Sequence, residues 1–197
     1  VHADLLSSVE AEFGRGRPQA PGRLAEERAA LEGFIEDRLE RYVLGARGPV
    51  LQALLEHARG SAGSGGYLCL TGGPGSGKSA LLGRLQRDLG AGHPGPGAAG
   101  TTMVSHFIGV NSTDLRELLW RLCSELSAGA EPGTGIPTDL EGLKRSFPEI
   151  LERASSAAGG VVLILDALNQ LDPAHGAHHL TWLPEPLPAG ARVVLSA

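Results

Sequence analysis

Apolar residues recur at every third or fourth position across residues 24–43, and charged residues occupy most of the positions between them. This spacing gathers the apolar side chains into one stripe and predicts an amphipathic helix of about 20 residues. A second, shorter helix is predicted to open at Pro49 and to end at Gly60, because proline suits a first helical turn and glycine a helix end. This part of the chain is therefore predicted to be helical.

From residue 67 onward, short apolar runs alternate with amphipathic stretches. The pattern predicts strands at 67–70, 101–108, 161–165 and 192–196, and helices at 78–89, 114–126 and 139–157. Thr113 is the expected N-cap of the second of these helices, and Pro148 is expected to break the third. Strands that alternate with helices predict an α/β fold with a parallel sheet, whose ligand lies at the carboxyl ends of the strands.

The composition narrows the class of protein. The 197 residues suit one domain with a substantial core, and a chain that begins at Val1 is expected to be a piece of a longer protein. The net charge of −5 argues against nucleic acid as a partner of this segment, and no apolar stretch is long enough for a membrane helix. Cys69 and Cys123 are expected to be buried free thiols, which suits a reducing, cytoplasmic location.

A complete phosphate-binding motif stands between the strand at 67–70 and the helix at 78–89. Glycine-rich turns of this kind let successive backbone N–H groups surround the α- and β-phosphates, while Lys78 reaches the β- and γ-phosphates and the Ser79 hydroxyl ligates Mg²⁺. The predicted nucleotide-binding residues are Gly72, Gly73, Pro74, Gly75, Ser76, Gly77, Lys78, Ser79 and Ala80. The motif predicts that the protein binds a nucleotide, with ATP and Mg²⁺ as the expected ligands.

A second chemical element follows the fully apolar run at 161–165, which predicts a strand buried on both faces. Asp166 stands at the tip of this strand, where a carboxylate holds Mg²⁺ through its water shell opposite Ser79. Asn169 and Gln170 come next, and an amide can orient water but cannot accept a proton. Lys78, Asp166, Gln170 and Asp172 are the candidate catalytic residues, and hydrolysis is expected to be slow unless Asp172 reaches the site.

Several segments together resemble one family. They are the loop at 71–79, Ser-His-Phe-Ile-Gly at 105–109, Ser-Thr-Asp-Leu at 112–115, Asp-Ala-Leu-Asn-Gln-Leu at 166–171, and the segments 182–184 and 192–196. In this order they are similar to the NACHT-type domains of the STAND class of P-loop NTPases. Within this class they resemble the domains of the nephrocystin family and of the telomerase-associated and NACHT-plus-WD-repeat proteins, over roughly residues 42–197.

The resemblance implies a three-layer αβα P-loop NTPase with a parallel sheet, truncated after its fourth core strand and preceded by a helical segment. The expected organisation is a flexible segment at 1–23, a helical linker at 24–60 and an NTPase core at 61–197. The resemblance also implies a large multidomain protein that uses its nucleotide state to open, close or oligomerise. Together with the cysteines and the amides after Asp166, the expectation is a cytoplasmic signalling switch with weak ATPase activity. Protein partners are expected through C-terminal repeats outside this chain, and a homo-oligomer is one expected assembly.

Other interpretations fit the same residues. A non-catalytic scaffold of a ribonucleoprotein or ciliary complex would hold its nucleotide without turnover, and a small-molecule kinase or a GTPase would also carry the loop. The family's adenine-covering segment corresponds to residues 43–47, where Ala46 separates the glycine from the arginine. The histidines at 175, 178 and 179 are expected in a solvated loop, whereas His106, Phe107 and Trp182 are expected to pack in the core.

Overall fold

The structure is a computed structural model that describes residues 21–60, 65–90, 101–128, 135–157 and 159–197. The segment at 1–23, which is predicted to be flexible, lies mostly outside these ranges.

The described residues form five helices and four strands, of the types and in the order that the apolar pattern predicts. The helices are α1 Pro21–Glu40, α2 Gly48–Arg59, α3 Lys78–Gly90, α4 Leu115–Leu126 and α5 Leu140–Ala157. The strands are β1 Gly66–Leu70, β2 Thr102–Phe107, β3 Val161–Asp166 and β4 Ala191–Ser196. Short 3-10 helices lie at Gly45–Arg47, Leu168–Gln170 and Ala174–His179. Most bounds differ from the predicted ones by one to three residues.

The four strands form one parallel sheet in the order β1-β4-β3-β2. β3 and β4 occupy the centre of this sheet, and every residue of both is buried. Their burial explains why β3 carries an uninterrupted apolar run instead of an alternating one. Because all four strands run the same way, Leu70, Phe107, Asp166 and Ser196 end at the same edge of the sheet.

The core consists of two apolar layers, one on each face of the sheet. Val161, Leu163 and Leu165 of β3 pack in a layer with α4 and α5. Val162 and Ile164 face the other way and pack with α1, α2 and α3. The alternation of side chains along β3 therefore produces the predicted three-layer αβα arrangement.

Helix α1 is joined to both layers of helices. Its Ile35 packs on α3 where Gly83 leaves room, because a Cβ atom at position 83 would lie 3.3 Å from Ile35 Cγ2. At its N-terminal half, Arg23 forms an ion pair with Glu117 of α4 at 2.6 Å. Nearby, Arg28 pairs with Glu125 of the same helix, with Arg28 Nε 3.0 Å from Glu125 Oε1. The helical segment is therefore packed on the core, and its boundary as a separate linker stays a prediction.

Two local expectations about helix ends and helix continuity are wrong. Asp114, not Thr113, caps α4, because the Asp114 carboxylate accepts the backbone N–H of Glu117 at 3.0 Å.

Helix α5 continues through Pro148 without a break. Proline removes one backbone hydrogen bond, at about 3 kcal/mol, but the neighbouring Phe147 and Leu151 are completely buried and each contributes about 2–3 kcal/mol. Burial on both sides of the proline therefore keeps the helix whole.

The expectation of two buried thiols is half right. Cys123 is fully buried on α4, and burial raises its pKa to about 12, so its thiol stays protonated. Cys69 is an exposed free thiol. Residues of β1 alternate between partly buried and exposed, because within the described residues β1 forms an edge of the sheet. Cys69 falls on the exposed face.

Candidate functional site

The glycine-rich loop joins the end of β1 to the first turn of α3. Gly75 and Gly77 have φ angles of 74° and 87°, which lie in the left-handed region that favours glycine. Inside the loop, the Ser76 N–H donates to the Gly73 carbonyl at 3.2 Å. The loop therefore places the unpaired N–H groups of the α3 N-terminus beside the carboxyl ends of the strands, an arrangement suited to an anion.

The loop forms one wall of a cleft of about 300 Å³. All of the predicted loop residues except Gly73 line this cleft. Its other lining residues are Arg38, Asp166, Ala167, Asn169, Gln170, Ser196 and Ala197. The structure thus brings Lys78 and Ser79 of the loop together with Asp166 and Gln170, a pair that lies far from them in the sequence.

The Lys78 ammonium lies against the loop itself. Its Nζ donates a hydrogen bond to the Gly72 carbonyl and lies 3.4 Å from the Gly73 carbonyl oxygen. Because Lys78 also lines the cleft, this point charge stands where the loop N–H groups converge. An anion in the cleft would meet both the charge and the amides.

Asp166 is held at the tip of β3 by the tip of β4. It is 2% exposed, and its Oδ1 accepts a hydrogen bond from the Ser196 hydroxyl. The same hydroxyl oxygen accepts the backbone N–H of Ala167 at 2.9 Å. Ala167 has a φ of 60°, a left-handed conformation that is uncommon for a residue with a Cβ atom. Ser196 therefore fixes both the carboxylate and the turn that follows it, and the motifs in the sequence did not mark it.

The residues that follow Asp166 divide between the cleft and its surroundings. Asn169 and Gln170 are exposed and line the cleft. Asp172 is not among the described lining residues. Its Oδ1 accepts the N–H of Ala174 at 2.9 Å, and its own N–H donates to the Thr113 carbonyl at 2.9 Å. The structure thus places the two amides at the cleft and uses the Asp172 carboxylate to cap the next turn.

Two arginines add positive charge to the site. Arg38 comes from the end of α1 and lines the cleft. Arg47 lies against the loop, because a Cβ atom at Gly77 would be 3.5 Å from its guanidinium carbon. The sequence did not mark Arg38, which occupies an ordinary polar position of an amphipathic helix, whereas Arg47 belongs to the segment 43–47 that the resemblance assigns to the adenine. With Lys78, the two arginines add positive charge to the site, whereas Asp166 carries the one carboxylate among the described side chains that line the cleft, and this balance suits a polyanion.

The histidines and the packing residues lie where their residue types predict. His106, Phe107 and Trp182 are at most 3% exposed. His106 Nε2 lies 3.0 Å from the Ser112 carbonyl oxygen, and burial lowers the pKa of His106 to about 4. His178 hydrogen-bonds the Leu171 carbonyl at 2.7 Å. In the part of the chain that the structure describes, no group of three or more His, Cys, Asp or Glu side chains could hold a metal ion.

The described helices include none with the length and apolar character needed to cross a membrane.

The family model for the AAA ATPase domain matches residues 43–195. The chain is 30% identical to nephrocystin-3 of Homo sapiens over 136 residues, which cover 66% of this chain and 10% of that protein. It is 34% identical to NACHT and WD repeat domain-containing protein 2 of Mus musculus over 134 residues, which cover 66% of this chain and 8% of that protein. The chain thus spans no more than a tenth of these relatives.

Proposed function

The chain belongs to the AAA ATPase domain family, and from this premise we propose that it binds ATP with Mg²⁺ and works as a slowly hydrolysing nucleotide switch. The observation that supports the proposal best is the convergence of Lys78, Ser79 and Asp166 on one cleft at the carboxyl edge of the sheet. The loop N–H groups and Lys78 supply the contacts that a triphosphate needs.

The donor atoms at the cleft suit a magnesium ion. Mg²⁺ prefers oxygen ligands and keeps several waters, and the Ser79 hydroxyl and Asp166 carboxylate both line the cleft. One Asp166 oxygen is engaged by Ser196, so its other oxygen is the one that could face the water shell of the ion. When bound, Mg²⁺ would neutralise charge on the β- and γ-phosphates.

The chemistry of the remaining side chains favours slow turnover. Asn169 and Gln170 can hydrogen-bond a water molecule, but neither can remove its proton. Asp172, the nearest additional carboxylate in the sequence, is engaged with Ala174 outside the cleft lining. A site that binds ATP well and hydrolyses it slowly suits a switch, because γ-phosphate contacts persist long enough to hold a conformation.

The wider role that we propose is a cytoplasmic signalling switch inside a larger multidomain protein. One relative is a NACHT and WD repeat domain-containing protein, and a comparable repeat region would supply protein partners. A homo-oligomer is the assembly that nucleotide-dependent opening would favour. The absence of a second carboxylate among the described cleft-lining residues also supports one alternative, a scaffold that retains its nucleotide without turnover.

Lys78→Ala tests the proposal, with Lys144→Ala as the matched control. The chain has two lysines, and Lys144 pairs with the exposed Glu141 at 3.2 Å and does not line the cleft as described. A ligand at a hundredfold excess over its Kd stabilises the folded state by about 2.7 kcal/mol. We expect ATP with Mg²⁺ to raise the melting temperature of the wild type and of Lys144→Ala but not of Lys78→Ala. Equal shifts of the melting temperature in all three proteins would show that Lys78 does not contribute to nucleotide binding.

The same preparations separate the switch from the scaffold. Under single-turnover conditions with labelled ATP, a switch releases ADP and phosphate slowly. A scaffold retains intact ATP over the same period, and that result would exclude hydrolysis while leaving binding in place.

A further inference from the structure

A cation from outside the phosphate loop lies in the nucleotide cleft. Arg38, in the last turn of α1, lines the cleft together with the loop residues. Its guanidinium carbon lies 4.9 Å from the centre of the Phe34 ring, a cation–π contact that orients the group. Arg23 and Arg28 on the same helix are paired with carboxylates. Among the described residues, Arg38 has no such partner.

We propose that Arg38 is a phosphate-contacting residue of this site. The inference rests on the proposed function, because it assumes that the cleft takes a nucleotide. A guanidinium offers two parallel N–H donors that match two phosphate oxygens, which a single ammonium such as Lys78 cannot do. Arg38 and Lys78 line the same cleft, so the two cations repel each other, and a polyanion bound there would offset that repulsion by attracting both.

The position of Arg38 is set by the packing of α1 and not by the loop. Ile35, three residues earlier, fits against Gly83 of α3, and Arg23 is paired with Glu117 of α4. These contacts hold α1 against both α3 and α4. The packing of the helix therefore determines where its last turn, with Arg38, lies at the cleft. A phosphate contact at Arg38 would in turn hold this end of α1 whenever nucleotide is bound.

A neighbouring cavity allows a second role for Arg38, which is contact with the nucleoside instead of the phosphates. This cavity, of about 390 Å³, shares Arg38 and Ala80 with the cleft and is otherwise lined by Phe34, Asp37, Arg41 and Tyr42. A nucleoside lying there would also contact Arg38. Inorganic triphosphate separates the two arrangements, since it carries the phosphate chain but has no nucleoside to place in the second cavity.

The experiment measures the Kd of the 197-residue chain for ATP, ADP and inorganic triphosphate, each with Mg²⁺, by isothermal titration calorimetry. We expect Arg38→Ala to weaken all three ligands about tenfold, as for the loss of one charge-assisted hydrogen bond. Arg38→Lys keeps the charge without the fork and should recover part of the loss. Arg41→Ala removes an equal charge that lines only the second cavity, and we expect less than about a twofold change.

Each other outcome has a definite meaning. Loss of ATP affinity with unchanged triphosphate affinity would assign Arg38 to the nucleoside and overturn the phosphate contact. Unchanged affinity for all three ligands in Arg38→Ala would overturn any contact. An equal loss of triphosphate affinity in Arg41→Ala would show a general field effect and would also overturn the proposal. A wild type that binds none of the three probes would overturn the proposed function itself, whereas the preceding results leave it intact.

Discussion

At the scale of single residues, the tip of β4 decides how the tip of β3 presents its carboxylate. The Ser196 hydroxyl donates to Asp166 and accepts the N–H of Ala167, so one side chain satisfies a buried acid and a left-handed turn. A buried carboxylate without such a donor would incur a large desolvation penalty. The geometry of the cleft therefore depends on a contact between residues that are 30 positions apart in the sequence.

The side chains after Asp166 lead to a prediction about turnover. Gln170 lines the cleft, and replacing it by glutamate would supply a proton acceptor where the wild type has only amides. We expect Gln170→Glu to raise the rate of ATP hydrolysis about tenfold. This is less than the 10²–10⁴-fold contribution of a well-positioned base, because no neighbouring group has been selected to orient the new carboxylate. Phosphate release at saturating ATP and Mg²⁺ measures the effect.

Asp172→Asn is the matched comparison for this experiment. An asparagine can still accept the N–H of Ala174, so the turn survives while the carboxylate is lost. We expect less than about a twofold change in rate, because Asp172 lies outside the described cleft lining. A large loss in Asp172→Asn with no gain in Gln170→Glu would contradict this and identify Asp172 as the base.

At the scale of elements, one helix end shows how a cap is chosen. The Asp114 carboxylate accepts the N–H of Glu117, while the Thr113 side chain makes no such contact with the helix. We expect Asp114→Ala to destabilise the fold by about 1 kcal/mol, and Thr113→Ala to change stability by less than about 0.5 kcal/mol. Urea unfolding of both variants gives the free energies of unfolding. Equal losses in the two variants would mean that the cap is shared.

The elements that could be predicted from the sequence are those whose pattern is local. The apolar run of β3 and the helical spacing of α4 each lie within one short window, and both elements form there. The predictions of a helix break at Pro148 and of a buried Cys69 are wrong because both depend on packing against parts of the chain that are far away in the sequence. The packing of Phe147 keeps α5 whole, and the edge position of β1 exposes Cys69.

The site follows the same division. The phosphate loop could be recognised because its chemistry depends on the spacing of consecutive residues, and Asp166 because it directly follows a buried strand. Ser196 and Arg38 could not, since a serine at a strand end and an arginine on a polar helix face are common. Only the strand order β4-β3 places Ser196 beside Asp166, and only the docking of α1 places Arg38 in the cleft.

At the scale of the whole molecule, stability is expected to depend on pH through a buried histidine. Burial lowers the pKa of His106 to about 4, whereas a histidine in the unfolded chain has a pKa near 6.5. The unfolded chain therefore binds more protons below pH 6.5, and this stability is fully present above pH 6.5 and lost as the pH falls towards 4. We expect about 2 kcal/mol to be lost between pH 7 and pH 5.

Denaturant unfolding at several pH values measures this loss. His106→Gln keeps a neutral hydrogen-bond donor for the Ser112 carbonyl and removes the titration, so its stability should vary much less over the same range. Burial also lowers the pKa of His57, which accounts for part of any remaining slope. A wild type whose stability is flat from pH 7 to pH 5 would contradict the assignment.

Gly83 is a buried position at which the packing of α1 on α3 limits which residues can be accepted. The absence of a side chain at this position lets α1 and α3 approach until Ile35 nearly touches the α3 backbone. Any larger residue would have to move Ile35, and the arginine one turn further along α1 would move with it. A substitution at position 83 is therefore expected to change the shape of the cleft without altering any of the described residues that line it.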